Sequence, residues 1–383
     1  MANAALKVLV LAHDLSDAAV HRRVQMLQAG GAIVTIAGFR RTSHPVREIA
    51  GCPTVDFGRT YNAGFLQRIV SVLREIVLLG RHRSLFAAAD IILGRNLEML
   101  AIAVRGRSLA RPAPAIIYES LDIHRLLLRQ DLIGSPLRTL EGWLSRRASA
   151  LFTSSPAFVS GYFNRFSKVK LPIRLVENKI LDIGTVAHPP STRTADRPWI
   201  IGWFGMIRCR KSLHILADLA RQSGGTIEVV IRGRPSPDQF GDFEKLVTSM
   251  PGVRFLGPYK PEDLGAMYGS AHFSWAIDMF EEGLNSSWLL PNRLYEGGAY
   301  NCVPIAIDAV ETGHFIKRLG IGVPLKEPLS NSLAEFFKNL TPEKYWALAE
   351  AAAQVPRATW VCDANDCKAL VDYMRSLSEE AHG

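Results

Sequence analysis

From residue 198 onward, short continuous apolar runs alternate with segments of helical period, and this alternation constrains the fold more than any other feature. PWIIGWFG (198–205), TIEVVIRG (226–233), VRFLG and HFSWAID each read as a buried strand; SLHILADLARQ between the first two reads as a helix. Strands that are apolar along their whole length, bounded by helices, belong to a parallel sheet covered on both faces. The first half repeats the scheme less regularly, with LKVLVLA, a helix around 20–29, AIVTIAGF, ADIILG, APAIIYES and SALFTSS. Between the halves, 180–198 is polar and proline-bearing, as an interdomain linker would be. With 383 residues the chain is too long for one typical core. The expectation is an α/β protein of two Rossmann-like domains, 1–183 and 198–357, with parallel sheets facing a cleft and ligands at the carboxyl ends of the strands.

Composition narrows the setting. The chain is 48% hydrophobic and 21% charged, as folded soluble proteins are, and no apolar run approaches the ~20 residues that span a bilayer. The opening LKVLVLA lacks the features of a signal peptide, so a cytoplasmic location is expected. Five cysteines, at 52, 209, 302, 362 and 367, form no CxxC pair and leave one over, which argues for reduced thiols. The formal charge of +9 is uneven: residues 1–183 hold 25 Lys and Arg against 13 Asp and Glu, and the remainder holds 20 against 23. No nucleic-acid-binding motif accompanies the basic half, so an anionic membrane surface is the expected partner and nucleic acid is not. No GxGxxG follows a strand, which disfavours a dinucleotide enzyme.

LPNRLYEGGAYNCVPIAID (290–308) carries the most chemistry. Pro291 suits a first helical position, which places Asn292, Arg293 and Glu296 in the first two turns beside free backbone N–H groups. An arginine at a helix N-terminus favours a diphosphate, and a carboxylate on the same face can accept from a ribose diol. The plainer alternative is an exposed ion pair on an amphipathic helix. Gly297 and Gly298 weigh against it, because paired glycines inside a helix imply close approach of a backbone or a ligand. A second constellation, MIRCRKS after the strand ending at Gly205, crowds Arg208, Arg210 and Lys211 where a diphosphate would lie.

These stretches resemble the donor site of GT-B glycosyltransferases, particularly the glycogen-synthase-like group that builds bacterial surface polysaccharides. The resemblance is strongest over 198–308 and implies that Arg208 and Lys211 grip the donor diphosphate and neutralise UDP as it leaves, without a metal. Ser212 stands where a glycine is more usual. IRGRP (231–235) is similar to the loop beside the nucleotide base, with Gly233 allowing close approach and Arg232 nearby. Asp278, Glu282, Asn285, Ser286 and Ser287 are candidates for sugar contacts. Retaining members of the group carry Glu-x7-Glu ending at the position of Glu296; here the first position is Trp288, so an inverting enzyme is expected. The resemblance also implies that 358–383 crosses back to the first domain.

The N-terminal domain is then expected to hold the acceptor. His13, Asp14 and Asp17 follow the first strand, with Arg22 and Arg23 on the next helix; Asp17 also suits an N-cap. In IIYESLDIHR (116–125) a strand runs into Glu119, Asp122 and His124. An inverting transfer needs a base for the acceptor hydroxyl, and Asp122, partly desolvated, is the first candidate, with His124 second. Ser154 and Ser155 open a helix, and Glu177 and Asn178 are expected at the hinge. Finally, FLQRIVSVLREIVLLGRHRSLF (65–86) has an apolar stripe (Phe65, Ile69, Val72, Leu73, Ile76, Leu79) flanked by Arg68, Arg74, Arg81 and Arg83, suited either to packing on the sheet or to an anionic leaflet. The function implied is hexose transfer from a UDP-sugar donor to a lipid-linked saccharide acceptor on the inner face of the plasma membrane, in exopolysaccharide assembly. A GT-B sugar-nucleotide 2-epimerase and a non-catalytic partner of another transferase are the alternatives.

Overall fold

The computed structural model describes residues 4–61, 65–184 and 192–382. Of the stretch read as a linker, 185–191 lies outside the described residues. The chain divides into two units, 1–177 with 363–383 and 178–362, and passes between them after Glu177 and after Cys362.

In unit 1 the strands are β1 (Lys7–Ala12), β2 (Ile33–Arg40), β3 (Glu48–Ile49), β4 (Cys52–Arg59), β5 (Ile91–Arg95), β6 (Ala115–Glu119), β7 (Ala150–Thr153) and β8 (Ile173–Leu175). They form one sheet in the order β3-β4-β2-β1-β5-β6-β7-β8. All pairs are parallel except the β3–β4 hairpin at the edge. Every residue of β5, β6 and β7 is buried, which is why these strands read as apolar runs up to the charged residues, Arg95 and Glu119, that close β5 and β6. Strand order reverses between β1 and β5, and in open α/β sheets ligands bind at the carboxyl ends of the strands beside such a reversal.

Unit 2 opens with β9 (Ile180–Leu181) and contains β10 (Trp199–Ile207), β11 (Ile227–Pro235), β12 (Val253–Phe255), β13 (Phe273–Trp275), β14 (Val303–Ile307), β15 (Val323–Leu325) and β16 (Val361–Cys362). Six form a parallel sheet, β12-β11-β10-β13-β14-β15, with the reversal between β10 and β13. Side chains alternate along β10: Ile201 and Trp203 join one core with Trp275 and Tyr345, while Phe204 packs on the other face with Tyr268. β9 pairs with β16 in a separate parallel ribbon. That pairing draws residues 178–183 into unit 2, so the division falls earlier than 183. The helix Ala364–His382 belongs to unit 1 and packs on the helix Ala18–Ala29.

Candidate active site

At the reversal point of unit 2, the chain leaving β10 and the loop after β13 bring opposite charges together. Asp278 Oδ2 lies 3.3 Å from Arg293 Nη2 and 3.4 Å from Arg208 Nη2. Its other oxygen accepts from the Ser286 hydroxyl at 2.6 Å and the Phe280 amide at 3.0 Å. Burial alone would raise this carboxyl, but Arg293 and Arg208 hold it below the ordinary aspartate value. Arg208 also lies 4.7 Å over the Phe280 ring. Lys211 donates to both Glu282 oxygens, at 2.8 and 3.0 Å. Ser212 is buried and accepts from Trp275 Nε1 at 3.1 Å, so at the position where the resemblance expects glycine it ties the helix Arg210–Gln222 to β13.

The helix Asn292–Ala299 starts one residue later than the sequence reading, with Pro291 as its N-cap. Asn292 is exposed in the first turn, and Arg293 and Glu296 are half-buried on the face toward Asp278 and Tyr268. Tyr268 donates its hydroxyl to Glu296 Oε2 at 2.9 Å. Burial, followed by the charge of Glu296, pushes the Tyr259 phenol above its ordinary value and keeps both tyrosines protonated. Gly297 and Gly298 answer to protein, not to a ligand: a Cβ at Gly298 would meet the Trp360 ring at 2.4 Å, and one at Gly297 the Ser274 hydroxyl at 2.8 Å.

The segment 231–235 is the end of β11 itself, not a loop after it. Gly233 has φ 142° and sits opposite Gly205 (φ 110°) in the β10–β11 register, where a Cβ would fall 1.7 Å from the Gly205 carbonyl oxygen. Close backbone approach therefore occurs between strands. Arg232 donates to the Pro258 carbonyl at 3.2 Å and faces Asp263 at 3.7 Å, an anchoring role for the loop after β12.

In unit 1 the expected acceptor residues separate. His13 Nδ1 lies 3.3 Å from the side-chain nitrogen of Asn96, which follows β5 with φ 68°, so these two meet at the reversal point. Burial pushes the His13 imidazole below its ordinary value; Asp17 and Glu98 oppose this, and Arg41 and Arg95 reinforce it. Asp14 is buried and accepts from the Ser16 amide and hydroxyl at 3.0 and 2.6 Å, with Arg41 at 3.5 Å. Asp17 is the N-cap of the helix Ala18–Ala29, accepting from the Ala19 amide at 2.9 Å.

Arg23 is not available to an acceptor. Its side chain is 5% exposed and its guanidinium donates to Glu119 Oε1 at 2.7 Å, while Arg95 donates to Oε2 at 2.6 Å. Burial favours the protonated carboxyl of Glu119, but the two guanidiniums outweigh it and bring the group down to about 2. His124 is committed as well: Nδ1 accepts from the Leu126 amide at 3.3 Å and caps the helix Arg125–Leu128. Asp122 stands exposed on the turn after β6, without the desolvation expected of it. Ser155 caps the helix Pro156–Phe158. Asn178 donates to the Leu290 carbonyl at 3.2 Å, where unit 2 begins.

Sequence reasoning missed Tyr268 and Asn96. Tyr268 lies in a short apolar helix, and nothing local marks its hydroxyl as the partner of Glu296; the signal at Asn96 is conformational, an asparagine opening a helix immediately after a strand.

The chain matches solved structures along its whole length. It superposes on sucrose-phosphate synthase from Thermosynechococcus elongatus with a TM-score of 0.72 at 14% identity, covering 98% of each chain. It superposes on Anabaena HepE in complex with UDP and glucose with a TM-score of 0.67 at 15% identity, covering 97% of this chain and 99% of that one. The fold is GT-B, with two Rossmann-like domains. No family model matches. In sequence the chain is 46% identical over 382 residues to the succinoglycan biosynthesis protein ExoL of Rhizobium meliloti (strain 1021), covering 98% of this chain and 95% of that protein. It belongs to the ExoL family.

Proposed function

We propose that the protein is an inverting, metal-independent glycosyltransferase. It moves a hexose from a UDP-sugar to a lipid-linked saccharide during assembly of an acidic exopolysaccharide, on the inner face of the plasma membrane. The observation that carries this reading is the convergence of Arg208 and Arg293 on one carboxylate at the reversal point of the unit 2 sheet, with Lys211 and Glu296 alongside. The acceptor oxygen attacks the anomeric carbon, Asp122 takes its proton, and the electron pair of the breaking C–O bond goes to the β-phosphate of UDP. Arg208, Lys211 and Arg293 meet that charge, the work a metal would otherwise do. Inversion is supported by Trp288, which cannot act as a carboxylate nucleophile. The solved HepE complex contains UDP and glucose, and the name of ExoL places that relative in succinoglycan biosynthesis.

The membrane partner is supported by the helix Phe65–Leu78. The side chain of Phe65 lies outside the described residues. Val72 and Leu79 pack inward, whereas Val70, Leu73 and Val77 are exposed beside the exposed Arg74. Two of the four arginines expected to face a leaflet are paired with carboxylates of the chain, Arg68 with Glu98 and the exposed Arg81 with Glu75, which leaves Arg74 and Arg83. No helix of the described residues is long and apolar enough to cross a membrane.

The deciding experiment follows UDP release from a panel of UDP-sugars, with chelator present, with and without membranes carrying lipid-linked acceptor. Release that requires both donor and acceptor supports transfer. Epimerised donor without acceptor, or no turnover with any donor, overturns it.

A further inference from the structure

We infer that the outer face of the helix Gly134–Ser145, with the turn leading into it, is a second lipid-docking surface of unit 1, fitted to an anionic membrane. This rests on the membrane reading above and names a contact it does not contain. Leu132 is 93% exposed, and Ile133, Leu140 and Trp143 are 47%, 45% and 49% exposed. Ile133, Pro136, Leu140 and Trp143, spaced three, four and three apart, share one side of the helix.

The opposite side is firmly held. Glu141 is buried and accepts from the hydroxyls of Tyr118 at 3.0 Å, Tyr162 at 2.7 Å and Ser167 at 2.8 Å. The turn is fixed too: Asp131 accepts from the Ile133 and Gly134 amides at 3.1 and 3.2 Å, and Arg138 Nη1 donates to the Leu127 and Arg129 carbonyls at 2.7 and 2.5 Å. Leu132 is therefore presented outward by a pinned turn.

Charge decides the occupant. Residues 129–170 contain seven Lys and Arg against two acids, Asp131 and Glu141. Glu141 is buried, and Asp131 is paired with Arg129. Arg147 lies 4.5 Å over the Trp143 ring, and Lys168 donates to Thr139 at 2.8 Å along the same helix. An apolar strip with an aromatic ring and cationic rims suits the boundary between anionic headgroups and acyl chains. A second copy of the chain, docked through the same face, would bring these cations against themselves. This helix and Phe65–Leu78 both pack against Asn96–Leu109, so the two exposed apolar faces flank one helix.

The test is co-sedimentation with phosphatidylcholine vesicles with and without phosphatidylglycerol, together with quenching of tryptophan emission by brominated lipid. Leu132→Ser/Trp143→Ala should weaken partition onto the anionic vesicles by about tenfold or more while leaving UDP affinity and the unfolding transition unchanged. Quenching should be lost in Trp143→Phe. If Leu132→Ser/Trp143→Ala binds like wild type while Arg74→Glu/Arg83→Glu does not, the membrane reading stands and this inference falls. If the wild-type protein ignores both vesicle types, both fall. A dimer that Trp143→Ala dissociates, with vesicle binding untouched, assigns the face to a second copy and overturns the inference.

Discussion

Arg293 Nη2 stands 3.3 Å from Asp278 Oδ2, and that same oxygen faces Arg208 at 3.4 Å. One carboxylate thus holds two guanidiniums, and in the function proposed above a diphosphate takes over their hydrogen bonds. Arg293→Ala and Arg208→Ala should each weaken UDP binding at least tenfold, since a hydrogen bond to a charged group contributes roughly 1.5–3 kcal/mol. Arg293→Lys should fall between, keeping the charge but losing the planar fork. Isothermal titration with UDP measures all three; unchanged affinity in both alanine variants would remove the donor-site assignment.

Glu296 predicts a different pattern. Its carboxylate is oriented by the Tyr268 hydroxyl at 2.9 Å. Glu296→Ala should cost about tenfold or more in UDP affinity, whereas Tyr268→Phe removes only the orienting bond, worth about 0.5–1.5 kcal/mol, and should cost severalfold. Uridine without phosphates separates the sites: it should feel the Glu296 change and ignore the Arg208 change.

For Asp122 the expectation concerns turnover. Asp122→Asn should retain UDP affinity and lower the transfer rate by about 10² or more, the typical contribution of a positioned general base. Steady-state assays with donor and acceptor check this, and the anomeric configuration of the product, read by NMR, checks inversion in the same experiment.

Glu119 links acid to stability. Its folded value of about 2 lies below the roughly 4.3 of an unfolded glutamate. A depressed acid contributes stability that is fully present above the unfolded value and is lost as pH falls toward the folded one. Glu119→Gln strands Arg23 and Arg95 in the interior and should destabilise unit 1 by about 3 kcal/mol or more near neutrality. Denaturant titrations at stepped pH should show the gap from wild type narrowing below about pH 4.

What the sequence revealed followed from local rules. β5, β6 and β7 are buried on both faces, so their apolar runs needed no partner to be recognised. The helix Asn292–Ala299 was legible to within one residue because Pro291 marks its start. What escaped depended on distant partners. Arg23 is buried because of Glu119, 96 residues away, and Gly298 is small because Trp360 lies against it. The periodicity of 65–86 hid a change to a 3-10 turn at Leu79–His82, and the charges on it gave no hint that Glu98 and Glu75 would claim two of them.

β9 and β16 run side by side, Ile180 opposite Val361 and Leu181 opposite Cys362. The entry and exit of unit 2 are thereby stitched together, which makes the unit a cassette set into another domain's chain. Unit 1, by contrast, is completed by a segment that follows unit 2 in the chain, the helix Ala364–His382, which packs on the helix Ala18–Ala29 and whose Arg375 donates to the Ala4 carbonyl at 2.8 Å. Unit 1 thus depends on both ends of the chain, whereas unit 2 holds every one of its strand pairings within one continuous segment.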